Sequence, residues 1–145
     1  MVAERALQLA LAVRGRVVEF HNDLARGRWH RRDDPWQPFD YWSSLQQRSC
    51  AILGTGAIAR HLAGLLQGFR CRILGFNRSG RNPDQGRFHR VSTDLHRVLS
   101  ECDIAFLTLP LTPDTRGLLG SRELGLLRGK HLVNVARGAI IDEPA

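Results

Sequence analysis

The stretch AILGTGAIAR, residues 51–60, raises the question that decides the fold. It begins with three apolar residues, continues with two glycines separated by one residue, and ends in a small run that carries no acid. A glycine pattern of this kind is a weak signal by itself. It indicates dinucleotide binding only when a strand precedes it, a helix follows it, and a second strand brings a ribose-binding position about 20 residues later.

The flanking sequence meets these conditions. Residues 50–53 form a short apolar run that stops at Gly54, as a buried parallel strand does. Over residues 57–67 the apolar side chains follow helical spacing, and Gly68 is a suitable terminator. The run CRILGF, residues 71–76, predicts the second strand. The glycine pattern therefore lies at a predicted strand-to-helix turn.

Strands and helices alternate in the rest of the chain as well. Additional strands are expected at 86–92, 103–110 and 131–137, and helices are expected after Thr93 or Asp94 and between Ser121 and Gly129. Alternation at this spacing predicts an α/β fold, with a doubly wound parallel sheet of the Rossmann type and helices on both faces.

The start of the chain predicts a long helix and a connecting arm. Residues 2–25 contain no proline and carry two apolar stripes, which together are wider than one contact needs. The second stripe consists of Leu7, Leu11 and Val18. The arm contains five aromatic residues that we expect to pack on a surface, namely Trp29, Trp36, Phe39, Tyr41 and Trp42. We therefore divide the chain into a helical arm with a dimer contact at 1–49 and a partial dinucleotide-binding domain at 50–145.

The composition limits the class of protein. A chain of 145 residues with 43% hydrophobic residues can form one domain with a core. No run reaches the length of a membrane span and the N-terminus does not look like a secretion signal, so we expect a cytoplasmic protein. The net charge of +7 is almost entirely arginine, because Lys130 is the only lysine. The one basic cluster with aromatics, residues 26–32, is interpreted as a solvated connection, and no nucleic-acid partner is expected.

The cysteines are expected to be structural. Cys50, Cys71 and Cys102 lie in or beside apolar runs, and their spacing does not suit a metal. We therefore predict buried free thiols and no metal site.

The glycine turn has a specific use if a dinucleotide binds. Gly54 allows the tight turn out of the strand, Gly56 lets the backbone approach a pyrophosphate, and Ala59 lets helix and sheet come close. The amides of Ala57 and Ile58, at the start of the helix, would point at the phosphates. A purely structural turn is the alternative, and the residues alone leave it open.

The end of the second strand bears on the choice between NAD and NADP. In FNRSGR, residues 76–81, Asn77 stands where an acid would bind both ribose hydroxyls and repel a 2′-phosphate. Asn77 is neutral, and Arg78, Ser79 and Arg81 can bind a phosphate. We predict that NADP is favoured over NAD. The alternative is a loop of solvated arginines.

Three further segments make the pattern specific. Together with the glycine turn, VAERALQLALA at 2–12, LPLTPDTRGLLG at 109–120 and LVNVARGAIIDE at 132–143 resemble the D-isomer-specific 2-hydroxyacid dehydrogenases, which include glyoxylate and hydroxypyruvate reductases and phosphoglycerate dehydrogenase. The resemblance runs along the whole chain and covers only the first part of the family's cofactor-binding domain. It implies an NAD(P)-dependent oxidoreductase that transfers a hydride between a nicotinamide cofactor and a 2-oxo or 2-hydroxy acid. It also implies a set of cofactor-binding positions: Ala57 and Ile58 at the pyrophosphate, Asn77 near the ribose, Leu109, Pro110 and Thr112 along the cleft, and Val135 and Ala136 beside the nicotinamide.

The catalytic residue that the resemblance implies is Arg137. It matches the arginine that in this family holds the substrate carboxylate and polarises its carbonyl, and a planar guanidinium suits a 2-oxo acid chemically. The family's proton donor is a histidine oriented by a glutamate, both beyond the NVARGAIIDE segment, and no histidine of this chain matches it. We therefore expect little or no dehydrogenase turnover from this chain alone.

The expected sheet is incomplete at one edge. The strand at 131–137 has no predicted neighbour on its outer side, which leaves Leu132, Val133 and Val135 on or near an open edge. Since such an edge invites pairing, we expect the chain to be marginally stable or to associate.

Two functions stay open. The first is an oxidoreductase that acts on a small-molecule 2-oxo or 2-hydroxy acid and, when intact, forms a homodimer. The second is a non-catalytic module for dinucleotide binding or dimerisation, since this fold can bind a nucleotide without performing chemistry.

Overall fold

A parallel sheet organises the chain. The computed structural model describes residues 1–29 and 43–144. In chain order the strands are β1 Ser49–Leu53, β2 Arg72–Phe76, β3 Arg90–Ser92, β4 Ile104–Leu107 and β5 His131–Asn134. Neighbouring strands pair in parallel and lie in the order β3-β2-β1-β4-β5. This is the order of a doubly wound sheet, which confirms the predicted fold class, and β5 lies at an edge as expected.

Helices cover both faces of this sheet. They are α1 Val2–Arg14, α2 Val17–Ala25, α3 Ala57–Gln67, α4 Leu95–Ser100 and α5 Ser121–Leu126. In β1, Ile52 lies in an apolar cluster with Ala6 of α1 and Leu62 of α3. The next residue, Leu53, lies in a second cluster with Leu99 of α4. Successive strand residues therefore point into two separate cores, as a doubly covered parallel sheet requires.

The single helix predicted over residues 2–25 is wrong, because the chain forms two helices there. α1 ends at Arg14, and Arg16 takes a left-handed conformation with φ of 51°. The apolar spacing continues across this break, since Val13 and Val17 are four residues apart. Periodicity therefore could not reveal it.

The two helices of the arm bury little within the chain. α1 packs Ala3, Ala6 and Ala10 against α3 and β5, whereas α2 buries no residue. Of the second stripe, Leu11 is 40% exposed and Val18 is 65% exposed. Within residues 1–29 and 43–144 the expected burial on two sides is not met, and the interface role stays a prediction.

A buried arginine fixes the arm to the sheet. Arg14 donates a hydrogen bond to the carbonyl of Ser44 at 3.0 Å, and its Nη1 lies 3.4 Å from Nδ1 of His131 in β5. Burial lowers the pKa of Arg14, and burial followed by the charge of Arg14 lowers the pKa of His131. His131 is therefore suited to accept this hydrogen bond in its neutral form.

Several other boundaries differ from the predicted ones. β4 ends at Leu107 and β5 at Asn134, because strand pairing stops there while the apolar runs continue. Gly120 rather than Ser121 precedes α5, and the carboxylate of Glu123 accepts a hydrogen bond from the amide of Gly120 at 3.1 Å.

The cap of α4 is resolved in favour of one candidate. The side chain of Asp94 accepts a hydrogen bond from the amide of Arg97 at 3.0 Å, so Asp94 rather than Thr93 caps this helix.

Most of the predicted aromatic contacts cannot be compared. Trp36, Phe39, Tyr41 and Trp42 lie outside the described residues, as does part of the basic cluster at 26–32. Trp29 is described and is 73% exposed, so its expected packing is not observed.

Candidate functional site

The turn after β1 is held tightly among three strand ends. Gly54 has a φ of 103°, and a Cβ there would lie 2.9 Å from Oγ1 of Thr108. The amide of Gly54 donates to the carbonyl of Phe76, at the end of β2, at 2.9 Å. Only glycine accommodates both this backbone conformation and this close approach.

The start of α3, by contrast, faces open space. Gly56 is an extended N-cap residue with no side-chain cap, and a Cβ there would meet no atom within 4 Å. Gly56, Ala57 and Ile58 are all exposed. The first amides of a helix have no partner within it, so these groups are available to an anion such as a pyrophosphate. The residues present therefore fit the phosphate bridge of a dinucleotide.

A cleft of about 430 Å³ runs beside this helix start. It is lined by Ile58, Thr108, Leu109, Pro110, Leu111, Val135, Ala136 and Arg137. The cleft thus joins the start of α3 to the segments that follow β4 and β5. Six residues of the predicted site line this cleft: Ile58, Leu109, Pro110, Val135, Ala136 and Arg137. Thr108 and Leu111 belong to the lining and were not predicted.

Thr112 does not line the cleft and forms a turn beside it. Its amide donates to Oγ1 of Thr115 at 2.8 Å, and the same hydroxyl donates to the carbonyl of Pro110 at 2.7 Å. Thr115 therefore shapes the segment after β4, a role that residue type alone did not reveal.

Arg137 lies at the mouth of the cleft, immediately before the 3₁₀ turn Gly138–Ile140. Its exposed guanidinium makes one side-chain hydrogen bond within the described residues, to the carbonyl of Ala136 at 3.0 Å. Since a guanidinium carries five N–H donors, most of its donors are available to a ligand. The arrangement can bind a carboxylate bidentately.

Asn134 fixes the backbone that carries Arg137. Its Nδ2 donates to the carbonyl of Arg137 at 3.0 Å, and its Oδ1 accepts from the amide of Ala136 at 2.9 Å. The sequence reasoning missed this residue. The available signal was an asparagine at a strand end, where its side chain commonly bonds to the backbone two residues later.

The residues predicted to lie near the ribose follow β2 and contact the glycine turn. Asn77 follows β2, and its Nδ2 donates to the hydroxyl of Thr55 at 2.8 Å, which joins this loop directly to the turn. Arg78, Ser79 and Arg81 are exposed. Arg78 pairs with Asp114 at 2.9 Å. The side chains of Arg78, Ser79 and Arg81 therefore lie just beyond the end of β2. Position 77 itself carries a neutral amide and no carboxylate.

The described histidines, His21, His61, His89, His96 and His131, do not line the cleft. Three of them have structural contacts: His89 accepts from the amide of Ile73, His96 pairs with Glu123, and His131 lies against Arg14. Within the described residues, no histidine is placed to donate a proton in the cleft.

The cysteines are buried free thiols, as predicted. Burial raises the pKa of Cys102 to about 11, and a hydrogen bond with the thiol of Cys71 raises the pKa of Cys50. Across the ranges 1–29 and 43–144 no cluster of three or more histidine, cysteine or acidic residues could hold a metal. None of the helices in the same ranges combines the length and apolarity that crossing a bilayer needs.

Known proteins share this fold. The family described as D-isomer specific 2-hydroxyacid dehydrogenase, NAD binding domain, matches residues 7–145. A glyoxylate reductase of Aeropyrum pernix is 35% identical over 145 residues, which cover 99% of this chain and 43% of that protein. A crystal structure of a Pyrococcus horikoshii protein superposes with a TM-score of 0.89 at 30% identity, covering 99% of this chain and 43% of the other.

A solved acyclic imino acid reductase, in complex with NADPH and D-Arg, superposes with a TM-score of 0.85 at 26% identity, covering 99% of this chain and 44% of the other. The chain thus spans less than half the length of these relatives. The chain belongs to the D-isomer-specific 2-hydroxyacid dehydrogenase family and corresponds to its NAD-binding domain, since the family model matches nearly its whole length.

Proposed function

We propose that this chain binds a nicotinamide dinucleotide across the carboxyl ends of its strands, with NADP preferred over NAD. The observation that carries the proposal is the start of α3, where exposed amides follow Gly56 into open space beside the cleft. The pyrophosphate binds there, at Gly56, Ala57 and Ile58, and Gly54 makes the turn that presents these residues. The nicotinamide half lies in the cleft, against Leu109, Pro110, Val135 and Ala136, with Thr112 supporting the wall.

The preference for NADP rests on the loop after β2. Arg78, Ser79 and Arg81 are exposed beside the turn, and Asn77 brings no negative charge to repel a 2′-phosphate. Charge-assisted hydrogen bonds from two arginines favour the phosphorylated cofactor by about tenfold or more. The NADPH bound by the related imino acid reductase is compatible with this choice.

We further propose that the chain is the cofactor-binding part of an oxidoreductase that acts on a small-molecule 2-oxo or 2-hydroxy acid. A bound nicotinamide supplies or accepts the hydride. Arg137 holds the substrate carboxylate and polarises the carbonyl at the mouth of the cleft, while Asn134 keeps the backbone of Arg137 in place.

Residues 1–49 are proposed as the arm and dimer contact and residues 50–145 as the nucleotide-binding unit. The support for a homodimer is the exposed apolar surface of α1 and α2. The cytoplasmic location stays a prediction.

Calorimetric titration of the 145-residue chain with NADP⁺ and NAD⁺ tests the cofactor proposal. We expect NADP⁺ to bind about tenfold more tightly, and the double variant Arg78→Ala/Arg81→Ala to lose this preference while its affinity for NAD⁺ changes by less than about twofold. Arg122→Ala is the matched control, because it removes an exposed arginine of α5 away from the loop. Tighter binding of NAD⁺ by the wild type contradicts the preference, and no heat with either nucleotide contradicts the site itself.

One observation favours the second candidate, a non-catalytic module: no described histidine lines the cleft. We therefore expect little or no NADPH oxidation by the 145-residue chain with glyoxylate or hydroxypyruvate. Substantial turnover in this assay would exclude the non-catalytic module and would overturn the expectation of an inactive chain.

A further inference from the structure

The loop after β2 is organised by one amide side chain. Oδ1 of Asn77 accepts hydrogen bonds from the amides of Ser79 at 3.1 Å and Gly80 at 2.7 Å. Nδ2 of Asn77 donates to the carbonyl of Arg81 at 2.9 Å and to the hydroxyl of Thr55 at 2.8 Å. Both polar atoms of the Asn77 side chain are therefore engaged within the protein, and this part-buried residue has no group left over for a ribose hydroxyl.

Thr55 connects this loop to the glycine turn. It lies between Gly54 and Gly56, and its methyl group is close enough to β2 that a Cβ at Gly75 would lie 3.1 Å from it. Its hydroxyl accepts the hydrogen bond from Asn77. The pyrophosphate turn and the loop of residues 78–81 are thus joined by one side-chain contact.

We propose that Thr55 and Asn77 are positioning residues, which set the preference for NADP by holding the loop of residues 78–81 beside the glycine turn. The proposal rests on the proposed dinucleotide site and deepens it. Since the amides of Ser79 and Gly80 already bond to Asn77, recognition of a 2′-phosphate falls to the side chains of the loop. Their position then depends on Asn77, whose Oδ1 holds the loop amides and whose Nδ2 attaches the loop to Thr55.

This arrangement gives asparagine a use that an acid at the same position lacks. An aspartate at position 77 could still accept the two loop amides, but it would have no N–H for the carbonyl of Arg81. Its charge would also lie beside a bound 2′-phosphate. Asn77 therefore does more than avoid repulsion, because its Nδ2 also closes the loop through the carbonyl of Arg81.

The test compares Thr55→Val, which keeps the shape of the side chain and removes its hydroxyl, with Thr55→Ser, which keeps the hydroxyl. For Thr55→Val we expect the affinity for NADP⁺ to fall about fivefold, as for the loss of one hydrogen bond, and the affinity for NAD⁺ to change by less than about twofold. Thr55→Ser restores the ratio of the two dissociation constants. A purely structural role would weaken both nucleotides equally.

Ser100→Ala is the control. It removes a hydroxyl that donates to the carbonyl of Arg97 at 2.9 Å in α4, outside the cleft and the loop of residues 78–81, and it is expected to leave the ratio of the two dissociation constants unchanged.

A second measurement needs no nucleotide. Amide hydrogen exchange at Ser79 and Gly80 is expected to be faster in Thr55→Val, and faster again in Asn77→Ala, than in the wild type. Equal losses for NADP⁺ and NAD⁺ in Thr55→Val, or unchanged exchange at both amides, overturn the positioning role. If the wild type binds neither nucleotide, the proposed function fails, and the exchange rates alone decide whether Thr55 and Asn77 order the loop.

Discussion

Gly54 and Gly56 are two positions apart, but their backbone conformations and the space around them differ. At Gly54 the φ of 103° and the approach of Thr108 leave no room for a side chain. At Gly56 the backbone is extended and the space beyond it is open. The fold requires glycine at the first position, whereas at the second the structure leaves room for a side chain, which fits the proposed approach of a ligand to the backbone.

Gly54→Ala is therefore expected to lower the free energy of unfolding by about 2–3 kcal/mol, because a left-handed alanine is strained and its Cβ meets Thr108. Urea denaturation measures this loss. Gly56→Ala is the control and should cost less than about 1 kcal/mol, while it weakens both nucleotides by about tenfold or more, because a methyl group separates the amides from the pyrophosphate. Equal stability losses in the two variants would contradict this division.

Asp114 is expected to compete with a 2′-phosphate for Arg78. The two side chains pair at 2.9 Å and are 85% and 69% exposed, so their interaction contributes about 0.2–1 kcal/mol. Asp114→Asn should raise the affinity for NADP⁺ by about twofold to fivefold and leave NAD⁺ unchanged. Titration at low and high salt checks the cause, since screening reduces the gain.

Asp142→Asn provides the control for Asp114, because it removes an exposed carboxylate from the segment after β5 without touching this loop. A gain of similar size in this control, or an equal gain for NAD⁺ in Asp114→Asn, would argue against direct competition.

Among the helices, α4 and α5 are joined by a contact between a histidine and a carboxylate. Nε2 of His96 lies 2.6 Å from Oε1 of Glu123, whose other oxygen accepts from the amide of Gly120. The hydrogen bond from His96 is the main cause that lowers the pKa of Glu123 below its ordinary 4.5. A carboxyl with a lowered folded-state pKa stabilises the fold above its unfolded pKa, and that contribution is lost as the pH falls.

Glu123→Gln is therefore expected to flatten the dependence of unfolding free energy on pH below about 4.5, and to lower stability at neutral pH by about 1 kcal/mol. Thermal unfolding between pH 3 and pH 7, in steps of about half a unit, measures both. Glu143→Gln, at an exposed position, should leave the profile unchanged. An unaltered profile in Glu123→Gln would show that the pair does not contribute.

The elements most accurately predicted from sequence are those fixed by local chemistry. α3 begins after Gly56 and ends before Gly68, as predicted, since a glycine turn and a glycine terminator bracket a clear apolar stripe. The break between α1 and α2 was missed because it depends on the backbone of Arg16, whereas the apolar period continues through it. The predicted strands at 103–110 and 131–137 extend too far, because apolar residues continue past the last paired residues, Leu107 and Asn134.

The candidate site also contains residues that could be predicted from the sequence and contacts that could not. The family resemblance, together with the glycine turn, implied the cofactor positions, and six of them converge on the cleft. The contacts of Thr55, Asn134 and Thr115 were not predictable, because a side-chain hydrogen bond between loops depends on tertiary placement. Residue type shows that such a group can bond, and only the fold shows to what.

At the scale of the whole molecule, the exposed apolar surface is concentrated on the arm. Most large hydrophobic residues that are exposed in the described part of the chain belong to α1 and α2: Val2, Leu9, Leu11, Val13, Val17, Val18 and Leu24. Their concentration on two consecutive helices differs from the scattered exposure that a monomer's surface normally shows. A second copy of the same arm would offer a surface of matching character, which is how a two-fold dimer forms.

We therefore expect the chain to form a dimer in solution and Val18→Glu, at a 65% exposed position of α2, to shift it to a monomer. A charge buried in an apolar contact between copies is costly, whereas the same charge on an exposed helix changes monomer stability by no more than about 0.5 kcal/mol. Size exclusion with light scattering gives the mass. Gln85→Glu adds the same charge at an exposed position outside the arm and should remain dimeric. A monomeric wild type, or a dimer that survives Val18→Glu, would mean that this apolar surface is not the contact between copies.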